Sequence, residues 1–446
     1  MYIRNFIYKI ILSSLFIVNI SILSPLEAIS CDVAVISSSA AKNGKPLIWK
    51  NRDDPVGFFI GVRKHKAANP EVGSYLCIEE KYFPDNFSLC SAGVNEAGFA
   101  VANTDAYTGS NIEGSLNIDT FIMEEALNNC KTVACFEDIL TSKHDKKGKF
   151  YATSSNFVVM DAYGGAIHYE AYAKLRKPVE IIKHDVNILN FSNKTNYVEL
   201  HDIHYDHTSI QRSERGTELL EKLYAENELT AKNIMHVVAK DVCEDNTTED
   251  WDNFNTEYCI SRAYTVLSIV IEGVEPYSDP AYSTMWVNIG EASIGIFVPI
   301  YPAAQSIPKE VKMTAVGSSP LNLAIMKKEA ALYDNNGVAN KYIEFPHVKD
   351  MTMDKTKLLD IQKVSFAIED MLIDVDQKIK ETLKNDSTLN IKSKLDHFSH
   401  YASQYAYTTY TGRDTTHNII NIKAFRYWLN AIYKNAGSFV ENILGF

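Results

Sequence analysis

The sequence predicts an α+β fold: a domain of antiparallel strands and helices, followed by a helical extension. Three observations predict it. Short runs rich in β-branched and aromatic residues alternate with turn dipeptides such as Asn43-Gly44 and Gly164-Gly165. Between them lie segments with apolar residues at helical spacing, Thr120–Asn129 and Arg215–Glu226. Beyond Pro308 helical stripes take over, which divides the chain into a domain over 31–305 and an extension over 306–446.

Composition bounds the function. Hydrophobic residues make up 46% and charged residues 22% of the 446, the balance of a globular chain rather than a disordered or collagen-like one. With 44 Lys+Arg against 56 Asp+Glu the formal net charge is −12, and no run of four basic residues occurs. Nucleic-acid grooves need clustered Lys and Arg, so a nucleic-acid partner is not expected.

The first element is a leader. Arg4 and Lys9 precede an apolar stretch from Ile10 to Leu23, Pro25 breaks it, and Ala28-Ile29-Ser30 supplies small residues for a signal peptidase. The stretch is short for a spanning helix, and no other segment is apolar enough, so an extracytoplasmic protein with no membrane span is expected. Removing Arg4, Lys9 and Glu27 takes the −12 of the whole chain to −13.

Cleavage after Ser30 leaves Cys31 at the N-terminus. One reading makes Cys31 the acylation site of a lipid-anchored surface or binding protein. Position 28, three residues ahead, is then Ala, where such sites favour Leu, Val or Ile. The other reading makes it a nucleophile whose own α-amine is the base. Seven cysteines occur, and setting Cys31 aside leaves an even six, as an oxidising compartment favours. The simplest of their 15 connectivities pairs chain neighbours, Cys77 with Cys90, Cys130 with Cys135 and Cys243 with Cys259. The competing reading keeps some as buried free thiols.

Strands follow in order. Val33–Ile36 and Pro46–Trp49 form a hairpin with Cys31 at its start. Phe99–Ala102, Asn156–Met160, Ala166–Tyr169 and Tyr264–Glu272 are further strands, and Trp286–Ile289 with Ile294–Ile300 make a hairpin through Gly290. In the extension, Leu358, Ile361, Ile368, Leu372, Val375 and Ile379 follow a helical stripe broken at Ser365, and Phe425, Trp428, Leu429 and Ile432 give another.

An N-terminal cysteine is chemically self-sufficient, because an α-amine of ordinary pKa near 7.7–8.0 adjoins a thiol near 8.5. In order after it come Lys50-Asn51-Arg52-Asp53, the stretch from Gly93 to Asn103, Asn156 to Asp161 with Gly164-Gly165 and Glu170, Asn190-Phe191-Ser192, and Ser209 to Arg215. Over about 31–300 the chain resembles the Cys-type N-terminal nucleophile (Ntn) hydrolases. These comprise choloylglycine hydrolases, penicillin V acylases and the autoproteolytic acyltransferase group that includes acyl-CoA:6-aminopenicillanate acyltransferases. The resemblance implies a four-layer αββα sandwich, with the helical extension outside it. It implies hydrolysis of a small-molecule N-acyl amide at a linear, non-peptide C–N bond through an acyl-enzyme, or acyl transfer by the same route. Residue by residue, it implies Cys31 as nucleophile and Asp53 as the acid holding its amine. Asn103 and Asn190 match regions of oxyanion donors and substrate contacts, with Thr104 and Asp105 alternatives to Asn103. Arg212 matches a buried arginine near the nucleophile, and Lys50 and Arg52 are the substrate-side contacts. Bile-salt hydrolases carry Arg where Lys50 stands.

No cofactor and no metal are called for. The cluster His201-Asp-Ile-His204-Tyr-Asp-His207 spreads its histidines around a helix and reads as a polar loop better than as a zinc site. No phosphate loop, Gly-x-Ser-x-Gly elbow or His-Glu-x-x-His motif occurs.

Overall fold

A computed structural model describes residues 31–53, 60–82, 87–106, 116–117, 119–142, 151–173, 179–196, 207–243, 253–256, 258–263, 265–314, 318–332 and 352–411. The leader, the Phe425–Ile432 stripe and His201–His204 lie outside the described residues.

The chain opens with β1 (Asp32–Ile36) and β2 (Leu47–Asp53), antiparallel with Val33 opposite Lys50 and Ile36 opposite Leu47. It then builds a second sheet from β3 (Ile60–Lys66), β4 (Ser74–Tyr82), β5 (Phe87–Asn95) and β6 (Ala100–Asp105), with the short β7 (Leu116–Asn117). Helices α1 (Asp119–Asn129) and α2 (Val133–Ser142) intervene before β8 (Tyr151–Met160), β9 (Ala166–Ala173) and β10 (Glu180–Asp185). After α3 (Val186–Leu189) the chain returns to the first sheet as β11 (Phe191–Lys194). Helix α4 (His207–Ala225) and α5 (Ala231–Asn233), which runs into a π-helical turn over Ile234–Val238, lead past β12 (Asn253–Asn255) to β13 (Thr265–Glu272), β14 (Thr284–Ile289) and β15 (Val298–Ile300). Helix α6 (Pro320–Leu332), β16 (Thr352–Asp354), α7 (Lys355–Asn385) and α8 (Ile391–Thr411) complete the described chain.

Two antiparallel sheets result. One has the order β11-β1-β2-β13-β14-β15, the other β10-β9-β8-β6-β5-β4-β3, to which β7 adds a parallel pair on β8. Side chains alternate across the second sheet. Leu76, Ile78, Ala92, Val94 and Val158 join the core shared with β1, β2 and β13. Tyr75, Cys77, Val101, Phe157 and Tyr169 join a separate core with Ile122, Leu127 and Phe136 of α1 and α2. Phe398 and Ala402 of α8, with Leu372 and Ile379 of α7, enter the first core from the side of β15. Each sheet therefore has one face on the other sheet and one face under helices.

Several expectations shift. The strand expected over Ile294–Ile300 shortens to Val298–Ile300, because Ile294 and Gly295 donate back to the Glu291 carbonyl (3.3 and 2.9 Å) in a turn. Helix α4 begins eight residues before Arg215, at His207: its first turns bury Ser209, Arg212 and Ser213, so no apolar period marks them. The three neighbour disulfides, Cys77–Cys90, Cys130–Cys135 and Cys243–Cys259, are formed, as suits an oxidising compartment. Among the described residues no helix is long and apolar enough to cross a membrane.

Candidate active site

Cys31 immediately precedes β1 and is the free cysteine, 2% exposed. Asp32 pairs with Asn51, so one step further along the ladder sets Cys31 opposite Arg52. Opposite residues of an antiparallel pair share a face. Lys50 and Arg52 accordingly enter the space between the sheets with Cys31, while Asn51 and Asp53 take the helix-covered side.

Arg52 is held by Glu80 of β4, with Nε 3.0 Å from Oε1 and Nη2 3.0 Å from Oε2. That fork leaves Nη1 to donate to the Cys31 sulfur at 3.2 Å. The sulfur thus accepts from a charged donor. Lys50 crosses to the second sheet and donates to the Ser91 carbonyl (3.1 Å), the Asn103 carbonyl (2.7 Å) and Asn103 Oδ1 (3.2 Å). Burial lowers the pKa of its amine, and the charge of Cys31 opposes that shift. Asn103 Nδ2 donates to Ser155 Oγ at 3.0 Å, so this side chain serves Lys50 and β8. The next residue, Thr104, meets the nucleophile itself, its Oγ1 donating to the Cys31 carbonyl at 3.3 Å.

On the other side of β2 lies a buried square of charge. Asp53 Oδ2 accepts from Arg262 through Nε (3.0 Å) and Nη2, and Oδ1 accepts from Thr265 Oγ1 (2.6 Å). Arg212 Nη1 donates to Asp32 Oδ1 at 2.7 Å and stands 3.8 Å from Asp53 Oδ2. Burial raises the carboxyl pKa of Asp32 to about 6; the Arg212 charge opposes this and the Asp53 charge adds to it.

Asn190 does not join the site. It caps α3 at φ 72°, and its carbonyl accepts from Ser37 N (2.9 Å) at the far end of β1 from Cys31. Strand β11 then runs antiparallel to β1, and another asparagine six residues on, Asn196, arrives at the nucleophile. Asn196 Oδ1 accepts from the Cys31 nitrogen at 2.6 Å, while Nδ2 donates to Thr104 Oγ1 (2.9 Å) and the Asp105 carbonyl (2.6 Å). Asn196, Glu80, Arg262 and Thr265 were missed by sequence reasoning. Each is brought in by strand pairing from a distant segment, and no local motif marks it.

Among the described residues no group of three or more His, Cys, Asp or Glu could hold a metal ion. The arrangement is that of a buried thiol with a cation on its sulfur and a carbonyl on its nitrogen, at the start of a central strand.

No family model matches the chain, and no curated protein matches it. Among solved structures it is similar to two variants of conjugated bile acid hydrolase from Clostridium perfringens, at 14% identity and TM-scores of 0.35 and 0.36, over 58% of this chain and 89% of those. It is also similar to the Caenorhabditis elegans N-acylethanolamine-hydrolyzing acid amidase ortholog, at 13% identity and TM-score 0.34, over 56% of this chain and 95% of that one. Similarity at this level does not place the chain in a family.

Proposed function

We propose that this protein is an exported hydrolase of linear, non-peptide C–N amide bonds, an Ntn-type αββα enzyme whose nucleophile is Cys31 after cleavage behind Ser30. The observation that carries the reading is the treatment of Cys31. It alone stays outside the three disulfides among the seven cysteines, and its sulfur and nitrogen each have a hydrogen-bond partner, Arg52 and Asn196. A thiol buried between two sheets is poorly placed to carry a diacylglyceryl chain, which disfavours the anchor reading.

In this mechanism the freed α-amine takes the thiol proton, and the sulfur attacks the acyl carbon of the amide. The C–N bond breaks, the leaving amine takes the proton back from the α-ammonium, and a thioester remains on Cys31. Water, losing a proton to the same amine, attacks the thioester and releases the acid and the thiol. An amine in place of water gives acyl transfer instead. Asn196 orients the α-amine. Asp53, expected to hold this amine, instead faces the helix-covered side of β2, where Arg262 and Thr265 fix it, and it acts on the site by holding the strand end that carries Arg52. Arg52 carries positive charge beside the reacting sulfur and meets the substrate's polar end, while Lys50, expected there too, is buried and ties β2 to Ser91 and Asn103.

Intact mass of the exported protein tests the first step, with a chain starting at Cys31 expected and a diacylglyceryl adduct overturning the reading. A version with one uncleaved residue ahead of Cys31 converts the basic amine to a non-basic amide. Amide hydrolysis and acyl-adduct formation should vanish in it, and full activity would exclude the α-amine as base.

A further inference from the structure

Three consecutive residues behind the site, Ala239, Lys240 and Asp241, bond in turn to β2, to α7 and to α4. The Ala239 carbonyl accepts from Asn51 Nδ2 at 3.0 Å, and Asn51 lies between Lys50 and Arg52. The Asp241 carbonyl accepts from Ser261 N at 2.8 Å, next to the Arg262 that grips Asp53, and the Asp241 carboxylate binds Arg215 at 2.8 Å. Between them Lys240 points away from the site into the C-terminal extension. Its ammonium donates to Glu369 Oε1 (2.7 Å) and Ser365 Oγ (3.1 Å) of α7, and lies 4.9 Å from the centre of the Phe366 ring. Glu369 Oε1 also accepts the Phe297 N–H at 2.7 Å, which locks α7 to the segment entering β15. The Ser365 that interrupts the apolar stripe of α7 is thereby accounted for.

Both charges are fully buried. A buried ion pair barely repays its desolvation, and apolar residues of like volume usually serve stability as well or better. What the pair adds over such residues is a fixed register between α7 and the 239–241 segment. We propose that Lys240 and Glu369 are positioning residues through which the C-terminal extension holds β2, and with it Arg52 and Lys50, against the Cys31 sulfur. This inference rests on the Cys31 reading above.

The deciding protein is the full mature chain carrying Lys240→Met with Glu369→Gln, which keeps an acceptor for Phe297 N–H and removes both charges together. Melting temperature, kcat and KM for amide hydrolysis, and the rate of Cys31 alkylation by iodoacetamide at pH 7 are compared with wild type. The expected result is a folded protein with kcat at least tenfold lower at unchanged KM and alkylation at least fivefold slower. General loosening would instead expose the buried thiol and speed alkylation, which would overturn the proposal, as would unchanged kcat and alkylation. Should the double variant not fold, Glu369→Gln alone carries the same expectation at smaller size. Failure of both to fold also overturns it, since the pair would then hold the fold and not the site. If wild type hydrolyses no amide, the hydrolase reading fails while the alkylation comparison still decides this one.

Discussion

Asp32 has two unequal carboxylate oxygens. Oδ1 accepts from Arg212, whereas Oδ2 is buried with no hydrogen-bond partner among the described residues. An ionised carboxylate is poorly served there, and the group's pKa of about 6 stands above its ordinary 3.8. Folding therefore takes up a proton on Asp32 between those values. The stability this gives is full below pH 4 and is lost as pH rises through 6. Two units correspond to roughly 3 kcal/mol at most. Asp32→Asn should remove this slope: in denaturant titrations, wild type should lose stability relative to the variant between pH 4 and 7. Parallel curves would show that Arg212 and Arg262 already neutralise the carboxylate. At this scale the sequence spoke clearly where one residue type at one position had a chemical meaning. Cys31, the odd cysteine of seven, was such a case, whereas the strand expected over Pro46–Trp49 runs on through Lys50-Asn51-Arg52-Asp53. The sequence was mute where two asparagines six residues apart competed and only the pairing of β11 on β1 separated them.

The strands β1 and β13 were legible in the sequence, whereas β3, β10 and the interior strands β4 and β5 were not. β1 and β13 read as apolar runs because each lies between two neighbouring strands and two packed layers. β3 (Ile-Gly-Val-Arg-Lys-His-Lys) and β10 (Glu-Ile-Ile-Lys-His-Asp) close the two ends of the second sheet, and their charges hide the alternation. Charge at an edge discourages pairing with another chain, so the signal that obscured these strands is part of their role. β3 is also covered: Val62 N donates to the Val311 carbonyl at 2.9 Å, and Val62 bridges Lys312 in parallel. The approach requires Gly61, where an added Cβ would lie 2.5 Å from Met313 N. Gly61→Ala should cost about 1–3 kcal/mol in denaturant unfolding, the range of overpacked sites. An unaffected midpoint would mean that the 311–313 cover lifts off at little cost. The shift at Ser91 is a second such device. Ile78 pairs with Ala92 but Glu79 with Cys90, and the residue left over turns its carbonyl to Lys50. No pattern in the sequence announces a bulge.

Across the whole molecule, each disulfide closes a short loop, with separations of 13, 5 and 16 residues, and none links the two sheets. On the denatured but unreduced chain, a thiol-blocking reagent should therefore attach once, at Cys31, whereas three or more labels would break the scheme. Converting Cys130 and Cys135 to serine together should lower stability by only about 2–3 kcal/mol, because so short a loop restricts the unfolded chain little. The long-range work falls to strand pairing instead, above all to β2, which is complete only when β13 has docked on its free side. Asp53 and the Arg262 that fixes it are 209 residues apart, and the nitrogen of Cys31 waits for an asparagine 165 residues downstream. A chain made from its N-terminus thus delivers its sulfur first and the sulfur's surroundings last. Until most of the polypeptide has been made, the cysteine sits on a two-stranded hairpin without Asn196, and a prematurely ended chain is left without the machinery to use it.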